Sequence, residues 1–147
     1  MSDSNKEEYL KLDNQVCFAL YSASNAMGRA YQPRLKALDL TYLQYIVMMV
    51  LWEKQSINVK QLGQEMHLDS GTLTPLLKRL EAKGFVNRTR SQEDERIRVI
   101  SVTELGIALR EQAKIIPSEM MCMSKMNVEE LTQLKKKCEQ LLTNLTE

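Results

Sequence analysis

The sequence predicts a mainly α-helical chain with one small β-hairpin, in the order helices, two short helices joined by a turn, the hairpin, and helices again. Three observations carry this expectation. Apolar residues recur at three- and four-residue steps along most of the chain. The period changes to two over residues 85–103, where FVNRTRS and RIRVISV flank the charged run Gln92-Glu93-Asp94-Glu95. Hydrophobic residues make up 44% of the chain but aromatic residues only 5%, with many Leu and Met. That mixture suits helices packed on helices better than a β-sandwich.

Each element follows from local signals. Residues 10–31 read as a helix, with Leu12, Val16, Ala19, Leu20, Ala23 and Met27 at helical steps and Pro33 marking its end or a kink. Residues 32–39 suggest a second short helix or a turn of one. Thr41 is placed to cap a helix over 42–54 that is apolar on nearly all faces and so expected at the centre of the core. Residues 59–66 form a short amphipathic helix, and His67-Leu68-Asp69 a turn. Asp69 or Ser70 then caps a helix whose apolar side is Leu73, Leu76, Leu77 and Leu80, with Gly84 as its stop. Pro75 lies early enough in that helix to be tolerated. Thr103 caps a helix running to about residue 115. Pro117 interrupts it, and the Met-rich run after it is expected to be mobile. Asn127 and Glu130 form a capping box for a last helix striped by Val128, Leu131, Leu134, Cys138, Leu141 and Leu145.

Bulk properties exclude several classes. A length of 147 residues fits one domain. Twenty basic and nineteen acidic residues leave a net charge of +1, so any affinity for a polyanion must come from local placement. No apolar run approaches the ~18–20 residues needed to cross a bilayer. The polar start MSDSNKEEYLKL is unlike a secretory signal, so a cytoplasmic protein is expected. Three cysteines, at 17, 122 and 138, would rest there as thiols. His67 is the only histidine and there is no CxxC pair, so neither a metal nor any other cofactor is expected.

The turn-linked helices and the hairpin together suggest DNA reading. The second helix opens with Ser70, Gly71, Thr72, Thr74 and Pro75, small enough to enter a major groove, with hydroxyls for base edges and phosphates. Lys78 and Arg79 follow one turn later, where a phosphate backbone would pass. Arg88, Arg90, Arg96 and Arg98 lie on the hairpin, and Asp94 sits two residues before Arg96, able to orient it toward a minor groove. Taken singly, the helix is as readily a plain amphipathic one and the hairpin an ordinary charged turn. Their immediate succession makes a helix-turn-helix with a wing.

The run LGQEMHLDSGTLTPLLKRLEAKGFVNRTRSQEDERIRVISVTELG resembles the winged helix-turn-helix of MarR regulators, and DERIRVISVTELG resembles that family's wing. With LDNQVCFALYSASNAMGRAYQPRLKALDLTYLQYIVMMVLWE, nearly the whole chain is similar to the organic hydroperoxide resistance regulators, the OhrR type. The resemblance implies a homodimer that binds double-stranded operator DNA and represses until oxidised by an organic hydroperoxide. It implies one domain over 1–147, with dimerisation helices in about 1–40 and 104–147 and the DNA-binding winged helix in about 41–103.

A cysteine on an apolar helical stripe is usually an inert small hydrophobe. The resemblance makes Cys17 the sensor. Tyr21 lies one turn on and could donate a hydrogen bond to it, and Asp13 lies one turn back. Tyr31 and Tyr42 stand where the resembled proteins place tyrosines of the partner subunit beside the sulfur. One subtype of that group ends as an adduct with a small thiol. The other closes a disulfide to a distal cysteine of the partner, a role for which Cys122 is favoured, while Cys138 falls on the last apolar stripe. Rival readings are a MarR-type regulator that answers a ligand and ignores Cys17, a DNA-binding protein without a switch, and a thiol peroxidase. The last has no use for an Arg-rich wing, so the chain is not expected to be an enzyme.

Overall fold

The structure is a computed structural model in which residues 3–147 are described. The chain divides into a first compact unit ending at Arg110 and a second, Glu111–Glu147. Among the described residues, no helix is long and apolar enough to cross a membrane.

The first unit opens with α1 (Asp3–Glu8), a 3-10 turn (Leu12–Asn14) and the long α2 (Val16–Lys36). The expected helix over 10–31 is therefore displaced: it starts later and runs through Pro33. Pro33 sits in the last turn, where few hydrogen bonds remain to lose, and the Arg34 guanidinium donates to the Ala30 carbonyl nearby at 3.0 Å. The short helix foreseen over 32–39 is the end of α2 followed by a turn, in which Asp39 takes φ 57° and the Leu40 N–H donates to the Leu35 carbonyl.

Thr41 caps α3 (Tyr42–Lys54) in a capping box with Gln44. Tyr45, Val47, Met48 and Leu51 are buried, while Leu43 and Met49 face outward, so α3 is central along one side only. Against it pack α4 (Val59–Met66) and α5 (Ser70–Ala82), whose Leu62, Leu73, Leu77 and Leu80 are almost fully buried. The hairpin is β2 (Val86–Arg90) and β3 (Arg98–Val102). A strand the period did not reveal, β1 (Ser56–Asn58), pairs antiparallel with β3 to give the order β1-β3-β2. Three residues are too few for an alternation to register.

α6 (Glu104–Ala113) is capped by Thr103, whose hydroxyl accepts from the Gly106 N–H and donates to the Gly84 carbonyl. In the second unit, the segment expected to be broken is a regular helix, α7 (Ile116–Ser124). Pro117 stands in its first turn, where its missing N–H costs nothing, so it starts the helix rather than breaking it. The Asn127–Glu130 capping box opens α8 (Val128–Thr146) as expected, but no residue of α8 is buried.

Candidate DNA interface and thiol site

The turn between α4 and α5 needs two special positions. His67 closes α4 at φ 56°, and Gly63 leaves room for the Leu68 carbonyl, which a Cβ there would approach to 2.9 Å. Asp69 then caps α5, its Oδ1 accepting the Thr72 N–H at 2.7 Å. That N–H, and secondly the Thr72 hydroxyl, hold the Asp69 carboxyl below the usual carboxylate range. The leucine stripe turns one face of α5 inward. Ser70, Gly71, Thr72, Pro75, Lys78 and Arg79 are left exposed and Thr74 half-buried. The sequence-predicted reading residues thus share one outward surface.

The wing divides its arginines by their distance from its tip. Arg96 is 90% exposed, and its Nε and Nη2 donate to the two Asp94 oxygens at 3.2 and 3.3 Å. These bonds, and then the Arg96 backbone N–H, hold the Asp94 carboxyl below its usual range. Arg90 and Arg98 pair directly across the strands, an arrangement of like charges that destabilises a hairpin and is relieved by a nearby polyanion. Arg88 pairs with buried Ile100, on the same face as Arg90 and Arg98 but farther from the tip, where β2 packs against α5. Its backbone N–H donates to Glu81 of α5 at 3.1 Å, its Nε lies 3.6 Å from the other Glu81 oxygen, and its side chain is two-thirds covered. The structure therefore sets Arg88 against Glu81 of α5, in a cleft that it lines with Thr74, Lys78 and Arg98.

Between α4, the turn and the wing runs a groove of about 930 Å³. Lys60, Gln64, His67, Ser70, Arg96 and Arg98 line it, with no carboxylate among its lining residues. Lys60, Gln64 and His67 were not singled out from sequence. Nothing local marks them, because the folding of the wing toward α4 is what places them beside the arginines.

Cys17 is the second residue of α2 and is exposed. The N-cap residue Gln15 makes no side-chain cap, its amide donating instead to the Tyr9 and Lys11 carbonyls. Cys17 therefore belongs to a first turn that has no side-chain cap, at the positive end of the helix. Tyr21 follows at i+4 on the same face, 66% exposed, among the exposed apolar residues Val16 and Phe18. Asp13 lies in the preceding 3-10 turn, outside α2, contrary to its expected place one turn back on the same helix.

Tyr31 and Tyr42 do come together, with ring centroids 5.0 Å apart. Tyr45, missed from sequence because it belongs to the buried side of α3, completes the cluster at 5.9 Å from Tyr31 and leads to Trp52 at 6.3 Å. Burial, and then the neighbouring phenols, push the Tyr31 and Tyr45 hydroxyls up, so both remain O–H donors at neutral pH. Within one chain, however, ~21 Å of continuous helix separates Cys17 from Tyr31. Cys122 is exposed in the last turn of α7, and Cys138 is half-buried on α8.

Comparison with known proteins is consistent with these surfaces. The family model for SarA/Rot transcriptional regulators matches residues 29–113. The chain is 47% identical over 141 residues to the organic hydroperoxide resistance transcriptional regulator of Bacillus subtilis (strain 168), covering 96% of each chain. AbfR of Staphylococcus epidermidis, reduced and bound to DNA, is 36% identical with a TM-score of 0.81, covering 97% of this chain and 99% of its own. Disulfide-formed AbfR, at 33% identity, covers 96% and 99% with a TM-score of 0.63. The chain belongs to the MarR family of winged-helix DNA-binding transcription regulators, in the branch of the organic hydroperoxide resistance regulators, and is not an enzyme.

Proposed function

We propose that the chain is a redox-switched repressor that binds a pseudo-palindromic operator as a homodimer and is released when an organic hydroperoxide oxidises Cys17. The observation that carries this reading is the position of Cys17: exposed in the first turn of α2, in the same short chain as an outward-facing cationic winged helix.

The chain acts as one domain over 1–147, with residues 1–40 and 104–147 making the dimer and 41–103 reading DNA. Unpaired apolar faces support the dimer: Val16 and Phe18 on α2, and Leu134 and Leu145 on an α8 with no buried residue. The ~21 Å from Cys17 to Tyr31 supports it too, since Tyr31 and the Tyr42 packed on it can then reach the sulfur only from the partner. Tyr21, Tyr31 and Tyr42 are assigned to hydrogen-bonding the thiolate.

Two recognition helices enter successive major grooves ~34 Å apart. Ser70, Gly71, Thr72 and Thr74 face base edges, with Pro75 shaping that turn, and Lys78 and Arg79 hold phosphate. Arg96, oriented by Asp94, enters the minor groove, flanked by Arg90. Arg88 braces the wing.

The Cys17 thiolate attacks the hydroperoxide, forming an S–O bond as the O–O bond breaks, and the alcohol leaves after taking a proton. The sulfenic acid is then attacked by Cys122 of the partner subunit, forming the disulfide with loss of water. This one chain scores 0.81 against reduced DNA-bound AbfR and 0.63 against its disulfide form, so AbfR's two forms differ in shape. A comparable change here would alter the spacing of the recognition helices, and full release needs about 5.5 kcal/mol of such bias.

The test is an operator titration and a non-reducing gel on wild type, Cys17→Ser, Cys122→Ser and Cys138→Ser. Cys17→Ser binds and never releases. Cys122→Ser loses the dimer-linking band, and Cys138→Ser behaves as wild type. Release of Cys17→Ser by oxidant overturns the sensor. A mixed disulfide with a small thiol in place of the band overturns the role of Cys122.

A further inference from the structure

We propose that Lys83 is a positioning residue for operator binding, tying the C-terminal end of the recognition helix α5 to the first turn of α3. It thereby makes the orientation of α5 depend on the tyrosine cluster. The inference rests on the Cys17 switch proposed above.

Lys83 is the C-cap residue of α5. Its ammonium donates to the Asp39 carbonyl at 2.6 Å and to Gln44 Oε1 at 2.9 Å, with the Asp39 carboxylate at 3.5 Å. An ordinary surface cation at a helix end interacts with its own last carbonyls and contributes little. Lys83 instead reaches out of its helix to two fixed acceptors, and its side chain is only 26% exposed.

Gln44 is a buried polar side chain within the core, 2% exposed. Its Oε1 already accepts the Thr41 N–H at 3.0 Å, so with Lys83 both lone pairs are used. No spare acceptor on that oxygen can absorb a movement. Tyr42 and Tyr45 flank Gln44 in the same turn of α3, and both pack on Tyr31. A shift of these rings carries Gln44 with it, and a slip of under 1 Å takes the 2.9 Å bond beyond hydrogen-bonding range. From Lys83, ~20 Å of rigid helix leads to the reading residues at Ser70–Thr74. The joint thus lies between the rings assigned to the thiolate and the helix that reads DNA.

The experiment measures affinity for a fluorescent duplex, selected by the reduced wild-type protein from a random pool, before and after stoichiometric cumene hydroperoxide. Wild type is compared with Lys83→Met, Lys83→Gln, Lys83→Arg and Arg96→Ala, each also followed by thermal unfolding. In Lys83→Met and Lys83→Gln the ratio of reduced to oxidised affinity shrinks by roughly 3- to 30-fold, and Lys83→Arg restores it. Arg96→Ala lowers both affinities and keeps the ratio. Should Lys83→Met fail to fold, Lys83→Gln, which keeps a polar but shorter side chain, decides. A wild-type ratio in the folded Lys83 variants overturns the joint while leaving the switch intact. Wild-type protein that stays bound with Cys17 oxidised, as read by mass, overturns the switch and the joint together.

Discussion

Replacing Arg96 by alanine tests how the wing contributes. The side chain is almost fully exposed, yet it is not free: two guanidinium donors meet the two Asp94 oxygens, and the backbone N–H of Arg96 donates to the same carboxylate at 3.0 Å. The cation is held outward at the tip before DNA arrives, so little rotamer freedom is lost on binding. A minor-groove contact of this kind is worth about 1–3 kcal/mol. Both wings of a dimer lose it together, so operator affinity should fall by at least about 30-fold, and the salt slope by roughly two units per dimer. Asp94→Ala leaves the cation but frees it, and should cost only roughly 2- to 10-fold. The pH dependence follows from sign. The Asp94 carboxyl is lowered by the Arg96 side chain and then its backbone N–H, so the pair is intact above the usual carboxylate range and is lost as pH falls through the lowered value. Its contribution should be flat between about pH 5 and 8. Fluorescence anisotropy at several salt concentrations measures all of this. Unchanged affinity and slope for Arg96→Ala at ~150 mM salt would remove the wing from the mechanism.

Three further outcomes follow from particular contacts. Gly106→Ala drives a Cβ into the Phe85 carbonyl and to 2.8 Å from Val102 Cγ2 and 3.0 Å from Met48 Cε. Overpacking of about 1–3 kcal/mol outweighs the ~1 kcal/mol that alanine returns in a helix, so the thermal midpoint should fall, and a rise refutes the packing argument. Arg88→Met should lower the thermal midpoint through loss of Glu81 and leave the salt slope unchanged; a slope lower by about one unit per site would return Arg88 to the DNA surface. Asp69→Ala removes the cap of α5 and should reduce both stability and affinity. Since the Thr72 N–H lowers the Asp69 carboxyl, wild type should lose this cap only as pH falls below the usual carboxylate range, and an acid-unfolding curve shared by wild type and variant would exclude it.

What was legible in the amino-acid string was what is decided within a few residues. Thr41 with Gln44, Asn127 with Glu130, and Asp69 two residues after His67 announce helix ends because their bonds span three positions. The change of period at residue 85 announces the hairpin, and Asp94 beside Arg96 announces their pairing, because both are local. The reading residues could be named for the same reason, whereas Cys17 was named through the family resemblance, a lone cysteine on an apolar stripe having no local mark. Other features depended on segments distant in sequence. β1 exists because β3 offers it an edge, and a three-residue strand has no pattern of its own. Pro33 continues α2 because it falls in the final turn and Arg34 covers a nearby carbonyl, while Pro117 opens α7 because it falls in the first turn. Arg88 looks like its neighbours in the string, and only the packing of the base of the hairpin against α5 brings it to Glu81. Lys60 and His67 meet Arg96 and Arg98 across a groove, and Lys83 meets Gln44, only once helices far apart in sequence are packed. Capping and periodicity are short-range and can be read from the chain; burial and the partner of a charge are set by whatever the fold brings alongside.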